Sequence, residues 1–444
     1  MSVSASMPVA VDRSGPARAG AAAWLALAVL VLATIVGAVD RQLLVLMAEP
    51  LKHSLHLSDT QLGLLQGAGV TLFAGLAAFP IGWPADRHDR RLVLGGCVLV
   101  WSASTAACGL SQSFGHLLLA ASGLGLGEAG LIPIVYSLIP DLFPREKRAT
   151  ANAVYALAAV FGAGIGIWSS AALLAWADGF VATATGSLGR LEGWRVAFLV
   201  AAALGPLIAL AIGLLRLRRA APEGTDVEGP SSTLLPYLRR HAASLTGIFG
   251  AMGLCTLGMT AIATWLPVIA VRHLGASVPD SGKAIGLAFA AGTLAGGAIG
   301  AAQARLQRRF GPVVLVRLMW GCIGVAGLVA VAMPVMHDLS GLAGLFAMQV
   351  MATFVGSVVY ASLIQLITPA AIRSRVLALN ATVVALLSAA SPIAVGLLSD
   401  HLQGSERPLL LAVTVVTVTA MVLGAALLWR FESSVLRSAH EVNA

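Results

Sequence analysis

Apolar residues run along this chain in long unbroken blocks, without the one-sided alternation of a soluble helix. Twelve blocks stand out, at 22–48, 60–83, 92–111, 115–139, 149–174, 194–215, 243–270, 283–303, 312–334, 341–367, 375–399 and 408–430. A helix needs about 20 largely apolar residues to cross the hydrocarbon core of a bilayer. The pattern therefore predicts an all-α integral membrane protein with twelve spans. The first block exceeds the apolar core of a cleaved leader, so it is expected to stay as a span.

The polar breaks divide the chain. The one long break, near 216–242, contains Pro222, Glu223, Gly224, Asp226, Glu228, Gly229 and Pro230. It reads as a linker between two six-helix bundles, 22–215 and 243–430. Short tails, 1–21 and 431–444, flank them. The halves echo each other. Asp86 to Arg91 follows the second span, and Arg305 to Arg309 follows the eighth. Pro144 to Arg148 precedes the fifth, and Pro369 to Arg375 precedes the eleventh. Such a repeat is the mark of a two-bundle transporter with its site near the midplane.

Composition agrees. Of 444 residues 58% are hydrophobic and 11% charged, about half the usual soluble charge content. The net charge of +8 invites a nucleic-acid reading, but the arginines sit in short loops on one side. With the N-terminus inside, 20 of the 28 basic residues are cytoplasmic and six lie outside. This positive-inside bias places both termini in the cytoplasm. Arg outnumbers Lys 25 to 3, which suggests a GC-rich bacterial genome and hence a bacterial inner membrane. Cys97, Cys108, Cys255 and Cys322 lie in apolar blocks without CxxC spacing, so neither a disulfide framework nor a metal site is expected. The histidines are not spaced for metal either. GxSxG and HExxH are absent, and with them any sign of an enzyme. No cofactor is implied. The expected partners are a small-molecule substrate, protons and the bilayer, with the chain a monomer.

Gly82-Trp-Pro-Ala-Asp86-Arg87-His-Asp-Arg90-Arg91 resembles the signature loop of the major facilitator superfamily. Val39-Asp40-Arg41-Gln42, Ser58-Asp59-Thr60-Gln61-Leu62-Gly63 and Gly123-Leu-Gly-Leu-Gly127-Glu128-Ala129 resemble its bacterial spinster-like branch. Asp141-Leu-Phe-Pro144 and Gly193-Trp194-Arg195 add to that likeness. The resemblance implies alternating access, with spans one and four facing a central cavity. It also implies an amphiphilic cargo, since animal spinster-like proteins are similar to exporters of lysophospholipids and sphingosine phosphate. One position departs from the pattern: the fourth span usually carries an arginine where this chain has Ala121.

Ionisable side chains inside spans cost about 2.5–3.5 kcal/mol each on insertion scales. Asp40, Arg41 and Glu128 are the deep ones. Helical rise puts Asp40 roughly 12 Å and Glu128 roughly 20 Å from the outer ends of their spans. Adjacent residues point about 100° apart, so Arg41 is expected to turn to the cavity or Glu128, and Asp40 to a neighbouring helix. A carboxylate in a low-dielectric cavity can load and release a proton near neutral pH. The competing reading is an ion pair that only locks the bundle. The loop charges Asp86, Arg87, Arg90 and Arg91, with Asp141 and Arg148, are expected to form a cytoplasmic gating cluster. A plain topological role competes for the arginines. Gln66, Tyr136, Asn152, Tyr155, Tyr360 and Asn380 are candidates to line the cavity. Its second-half wall is expected to be apolar, with Met259, Trp265, Phe289 and Phe354. Gly123, Gly125, Gly127, Gly162, Gly164 and Gly166 should allow close helix approach. Trp24, Trp101 and Trp429 are expected as interface anchors.

Overall fold

The computed structural model describes residues 20–77, 80–81, 88–186, 189, 191–215, 234–311, 313–369 and 372–443. The signature-loop residues Asp86 and Arg87, the N-terminal tail before residue 20 and most of the linker lie outside them. Among the described residues every regular element is helical.

The first half holds α1 (Ala21–Leu46), the short α2 (Ala48–Leu55), α3 (Asp59–Leu64), α4 (Arg90–Gly109), α5 (Phe114–Glu128), α6 (Leu131–Leu142), α7 (Arg145–Thr183) and α8 (Gly193–Gly213). After α9 (Leu234–Arg240), the second half holds α10 (Ala242–Leu274), α11 (Val278–Phe310), α12 (Val313–Ala332), α13 (Leu339–Ile367), α14 (Arg373–His401) and α15 (Pro408–Asn443). Among the described residues eleven helices are long and apolar enough to cross a membrane, counting α5 with α6 as one. The second span is irregular. It runs from α3 into a π-helix at Leu65–Leu72 before helix resumes.

Local chemistry sets the boundaries. Ser58 caps α3 and forms a reciprocal capping box with Gln61, which satisfies otherwise orphaned backbone groups. Asp89, Ser113, Ser277 and Asp338 cap α4, α5, α11 and α13 by accepting one first-turn backbone N–H each, without the reciprocal bond. Gly275 follows α10 in a left-handed conformation, which costs a glycine nothing. The fourth span breaks between α5 and α6 because Pro133 has no N–H and its ring collides with the carbonyl four residues back, at Ala129. Glu128 therefore ends a helix rather than sitting within one.

Contacts between the halves follow the repeat. α3 and the π segment (second span) pack on α14 (eleventh), and α7 (fifth) packs on α11 (eighth). Exchanging equivalent spans of the two halves, second for eighth and fifth for eleventh, turns one pairing into the other, so the two interfaces are images under a pseudo-two-fold axis. The glycines sit at these crossings. A Cβ on Gly67 would lie 2.1 Å from the Ala389 carbonyl oxygen, and one on Gly63 2.3 Å from that of Pro392. Gly164 and Gly286 face each other across α7 and α11.

One continuous hydrophobic core covers both halves at one end, reaching from Leu43 and Leu51 through Trp194 to Trp265 and Phe346. At the other end, where the linker leaves, the cores are separate. One holds Leu27, Leu94 and Ile139, the other Leu315, Val359 and Leu428. Among the described residues the bundles therefore share a core at one end and keep separate cores, parted from each other, at the linker end. Trp24 packs edge-on against Phe143 at 4.9 Å, and Trp429 is exposed. Trp101 corrects the interface expectation. Because α4 begins at Arg90, it falls mid-helix and is completely buried.

Candidate functional site

Arg41, on α1, reaches across to Glu128 at the end of α5. Its Nε donates to Oε2 at 2.8 Å, and Nη2 donates to the same oxygen. The arginine side chain keeps 49% of its accessible surface, whereas that of Glu128 keeps 6%. Glu128 Oε1 is buried with no partner. Asp40 points elsewhere, as adjacent helical residues must. It is 1% exposed and neither oxygen has a hydrogen-bond partner. The Trp101 indole lies beside it. Trp101 is held there by close packing, for a Cβ on Gly127 would lie 2.5 Å from its backbone nitrogen.

Ala121 is fully buried, and a Cβ on Gly69 of the π segment would lie 3.1 Å from its own. A long cationic side chain has no room there, so Arg41 has no second guanidinium beside it from that position.

Tyr136 is 41% exposed, and its ring meets Tyr155 edge-on at 5.1 Å. Tyr155 itself has no accessible surface and accepts a hydrogen bond from Thr34. Gln66, in the π segment, is buried with both amide atoms unpartnered. Asn152 Oδ1, Tyr360 OH and Asn380 Oδ1 are also buried without partners. In the second half Phe289 packs on Phe354 and Phe346. Met259 is only partly buried, but Trp265 is wholly enclosed.

Of the gating cluster, Arg90 bonds Asp141 at 3.1 Å and the Ser137 carbonyl at 2.9 Å. Arg91 bonds Asp89 and the Leu215 carbonyl. Arg148 donates to the carbonyls of Phe143 and Pro140. These bonds all stay within the first half.

Charged groups that join the halves are found at the closed end, and the sequence showed them only as loop residues. Arg272, in the last turn of α10, donates to Glu49 at 2.9 Å and to both oxygens of Asp59 at 2.9 and 3.1 Å. Lys52 bonds Asp59 at 2.5 Å, and Ser399 of α14 bonds it at 2.7 Å. Burial alone would raise the Asp59 carboxyl, but hydrogen bonds from Arg272, Lys52 and Ser399 outweigh it and hold the group at about 2. Asp400 accepts from the backbone N–H groups of Asp59 and Thr60, at 3.2 and 2.8 Å, and from the Thr60 hydroxyl at 2.6 Å. The sequence signal was an acid at the end of one span and a base at the end of another.

A family model for the Major Facilitator Superfamily matches residues 29–392. The chain belongs to that superfamily, a class of membrane transporters, and is similar within it to the spinster proteins. It is 32% identical over 285 residues to an MFS-type efflux pump of Mycolicibacterium smegmatis, covering 63% of this chain and 61% of the pump. It is 30% identical over 142 residues to the sphingosine-1-phosphate transporter of Mus musculus, covering 31% of this chain and 26% of that one. The chain thus spans less than two thirds of either relative. Its fold matches a crystal structure of a bacterial homolog to the human lysosomal transporter spinster, in an inward-facing and unoccupied conformation. There the TM-score is 0.78, with 21% identity, 96% of this chain and 98% of that chain covered.

Proposed function

We propose that the chain is a proton-coupled secondary transporter that moves an amphiphile with a charged head group, lysophospholipid-like in class, by alternating access between two six-helix bundles. The carrying observation is the mid-span pair of Arg41 and Glu128, half open on the arginine side, with an unpartnered Asp40 next to it in sequence. Charge at these positions is costly unless it does work. In this reading Glu128 and Asp40 exchange protons, and Arg41 faces the gap between the halves. Proton binding at Glu128 releases the guanidinium for a head group. Phe289, Phe354 and Met259 supply apolar surface for a tail. Buried Asn380 and Tyr360, with Gln66, Tyr136, Asn152 and Tyr155 in the first half, are the polar groups nearest to hand in the spans.

The linker end is read as cytoplasmic from the positive-inside bias, in a bacterial inner membrane with both termini inside. The parted linker end is then the inward-facing state. Asp86, Arg87, Arg90, Arg91, Asp141 and Arg148 act when that end closes. A second reading, proton-driven drug efflux, is favoured by the efflux-pump relative. Uptake of an organic anion is the remaining transport alternative.

The test is lysophospholipid flux into proteoliposomes under an imposed pH gradient, with wild type and Glu128→Gln. Gradient-driven flux that disappears in the variant supports the reading. Flux that persists leaves the cargo class standing and makes Glu128 structural. A folded, inserted protein that moves no lysophospholipid but does move a lipophilic drug establishes the efflux reading instead.

A further inference from the structure

A second site lies inside the second half, away from Arg41 and Glu128. A cavity of about 20 Å³ sits between α10, α12 and α13, lined by Met252, Cys255, Met319, Cys322, Gln349, Thr353 and three small residues. One water needs roughly 10–15 Å³ of such space. The cavity therefore fits a single water or a monatomic ion and excludes an organic cargo.

Its lining is rich in sulfur. The chain has 11 methionines and four cysteines in 444 residues, so nine lining positions should hold less than one; they hold four. The arrangement is ordered too. Met252-Gly-Leu-Cys255 and Met319-Trp-Gly-Cys322 are the same M-x-x-C spacing on two helices, and residues three apart share a helix face. Both faces turn to one cavity. Opposite them Gln349 has no accessible surface, and its Nε2 and Oε1 both lack a hydrogen-bond partner. The Thr353 hydroxyl donates to the backbone carbonyl of Gln349 and leaves that amide unserved. A buried carboxamide without protein partners has both a donor and an acceptor to offer inside the cavity. Cys255 and Cys322 are free thiols, and neither residue is fully buried.

We propose that this cavity binds one Cu(I) ion, or Ag(I) by the same chemistry, through the sulfurs of Cys255, Cys322, Met252 and Met319. Thiolate and thioether donors select soft monovalent ions. Binding displaces the proton of one thiol to solvent. The cation and the thiolate then form a neutral unit, which the low-dielectric interior accepts far more readily than a free charge. Gln349 is the positioning residue. Its Nε2 donates to the thiolate, and its Oε1 accepts from the second thiol. Among the described residues no three His, Cys, Asp or Glu side chains converge as a metal cluster, so this site depends on its two methionines.

The experiment is a titration of the full chain in detergent with Cu(I), kept reduced by ascorbate, against a chromogenic Cu(I) chelator. One equivalent should be retained against the chelator. Cys255→Ser with Cys322→Ser should lower affinity at least tenfold, and Cys97→Ser with Cys108→Ser should leave it unchanged. Met319→Leu, a near-isosteric change, should weaken binding even if the double serine variant fails to fold. X-ray absorption at the copper edge should show sulfur neighbours. No retained copper, equal loss in both cysteine pairs, or a shell of nitrogen and oxygen overturns the proposal.

Discussion

Asp59 and Arg272, 213 positions apart in sequence, meet with both carboxylate oxygens facing the guanidinium at 2.9 and 3.1 Å. One begins the second span and the other ends the seventh, so this pair ties the halves together at the closed end. Their side chains keep 5% and 22% of their accessible surface. Removing one partner of a buried pair leaves the other charge uncompensated, typically at about 3–5 kcal/mol. Arg272→Ala should therefore shift the protein toward the state open at this end. Spin-label distances across α3 and α14 should lengthen. An unchanged distance distribution would show that the glycine crossings hold the end shut without it.

The same latch should respond to acid in a defined window. Asp59 sits at about 2 when latched, against about 3.9 for a released carboxyl. A depressed value means that its contribution is complete above about pH 4. It is lost as pH falls from there towards 2. The Asp59 contribution to closure should be flat with pH from 5 to 8, and Asp59→Asn should give at neutral pH the opening that protonation of Asp59 gives in wild type only in strong acid. Reactivity of Ile393→Cys, at the crossing of α14 with Gly63 and Gly67, toward a membrane-impermeant maleimide would report it. A change centred near pH 6 would rule Asp59 out as its origin.

Gly67→Ala tests closure by shape rather than charge. Its Cβ would lie 2.1 Å from the Ala389 carbonyl oxygen, a backbone atom that cannot swing aside. The π segment and α14 must then separate. Transport should stop while the chain remains folded, and the closed end should become reachable to the same maleimide. Gly20→Ala meets nothing within 4 Å and serves as the silent control.

Ala121→Arg restores the residue usual in the family at that position. Here it should fail, because the fully buried alanine abuts the π segment at Gly69. Overpacking of this kind costs about 1–3 kcal/mol, and a buried unpaired guanidinium adds to it. Thermal unfolding in detergent should move several degrees lower. An unchanged transition would mean that the π segment gives way easily.

Much of the fold was written in run length alone. Twelve apolar blocks and one polar gap anticipate the spans and the two halves, and Ser58, Asp89, Ser113, Ser277 and Asp338 announce helix starts. The break after Glu128 was hidden, because Pro133 bends some membrane helices without ending them. Arg41 and Glu128 stood out by the cost of burying charge, yet only the family resemblance brought their helices together. Trp101 was misjudged by proximity to a block edge. The latch was hardest to see. Glu49, Asp59, Arg272 and Asp400 look like ordinary interface charges until the fold juxtaposes them. The M-x-x-C pair was likewise invisible to a search for thiols spaced along one strand of sequence.

Asp400 gives the closed end a property that ion pairs alone would not. By accepting the first N–H groups of α3, it completes from the second half the start of a helix belonging to the first. When the halves part, those amides lose their acceptor and must take water in its place. Opening is then limited by how readily solvent reaches the first turn of α3. Osmotic stress, which withdraws that water, should favour the closed end even though it touches neither the cargo nor the proton.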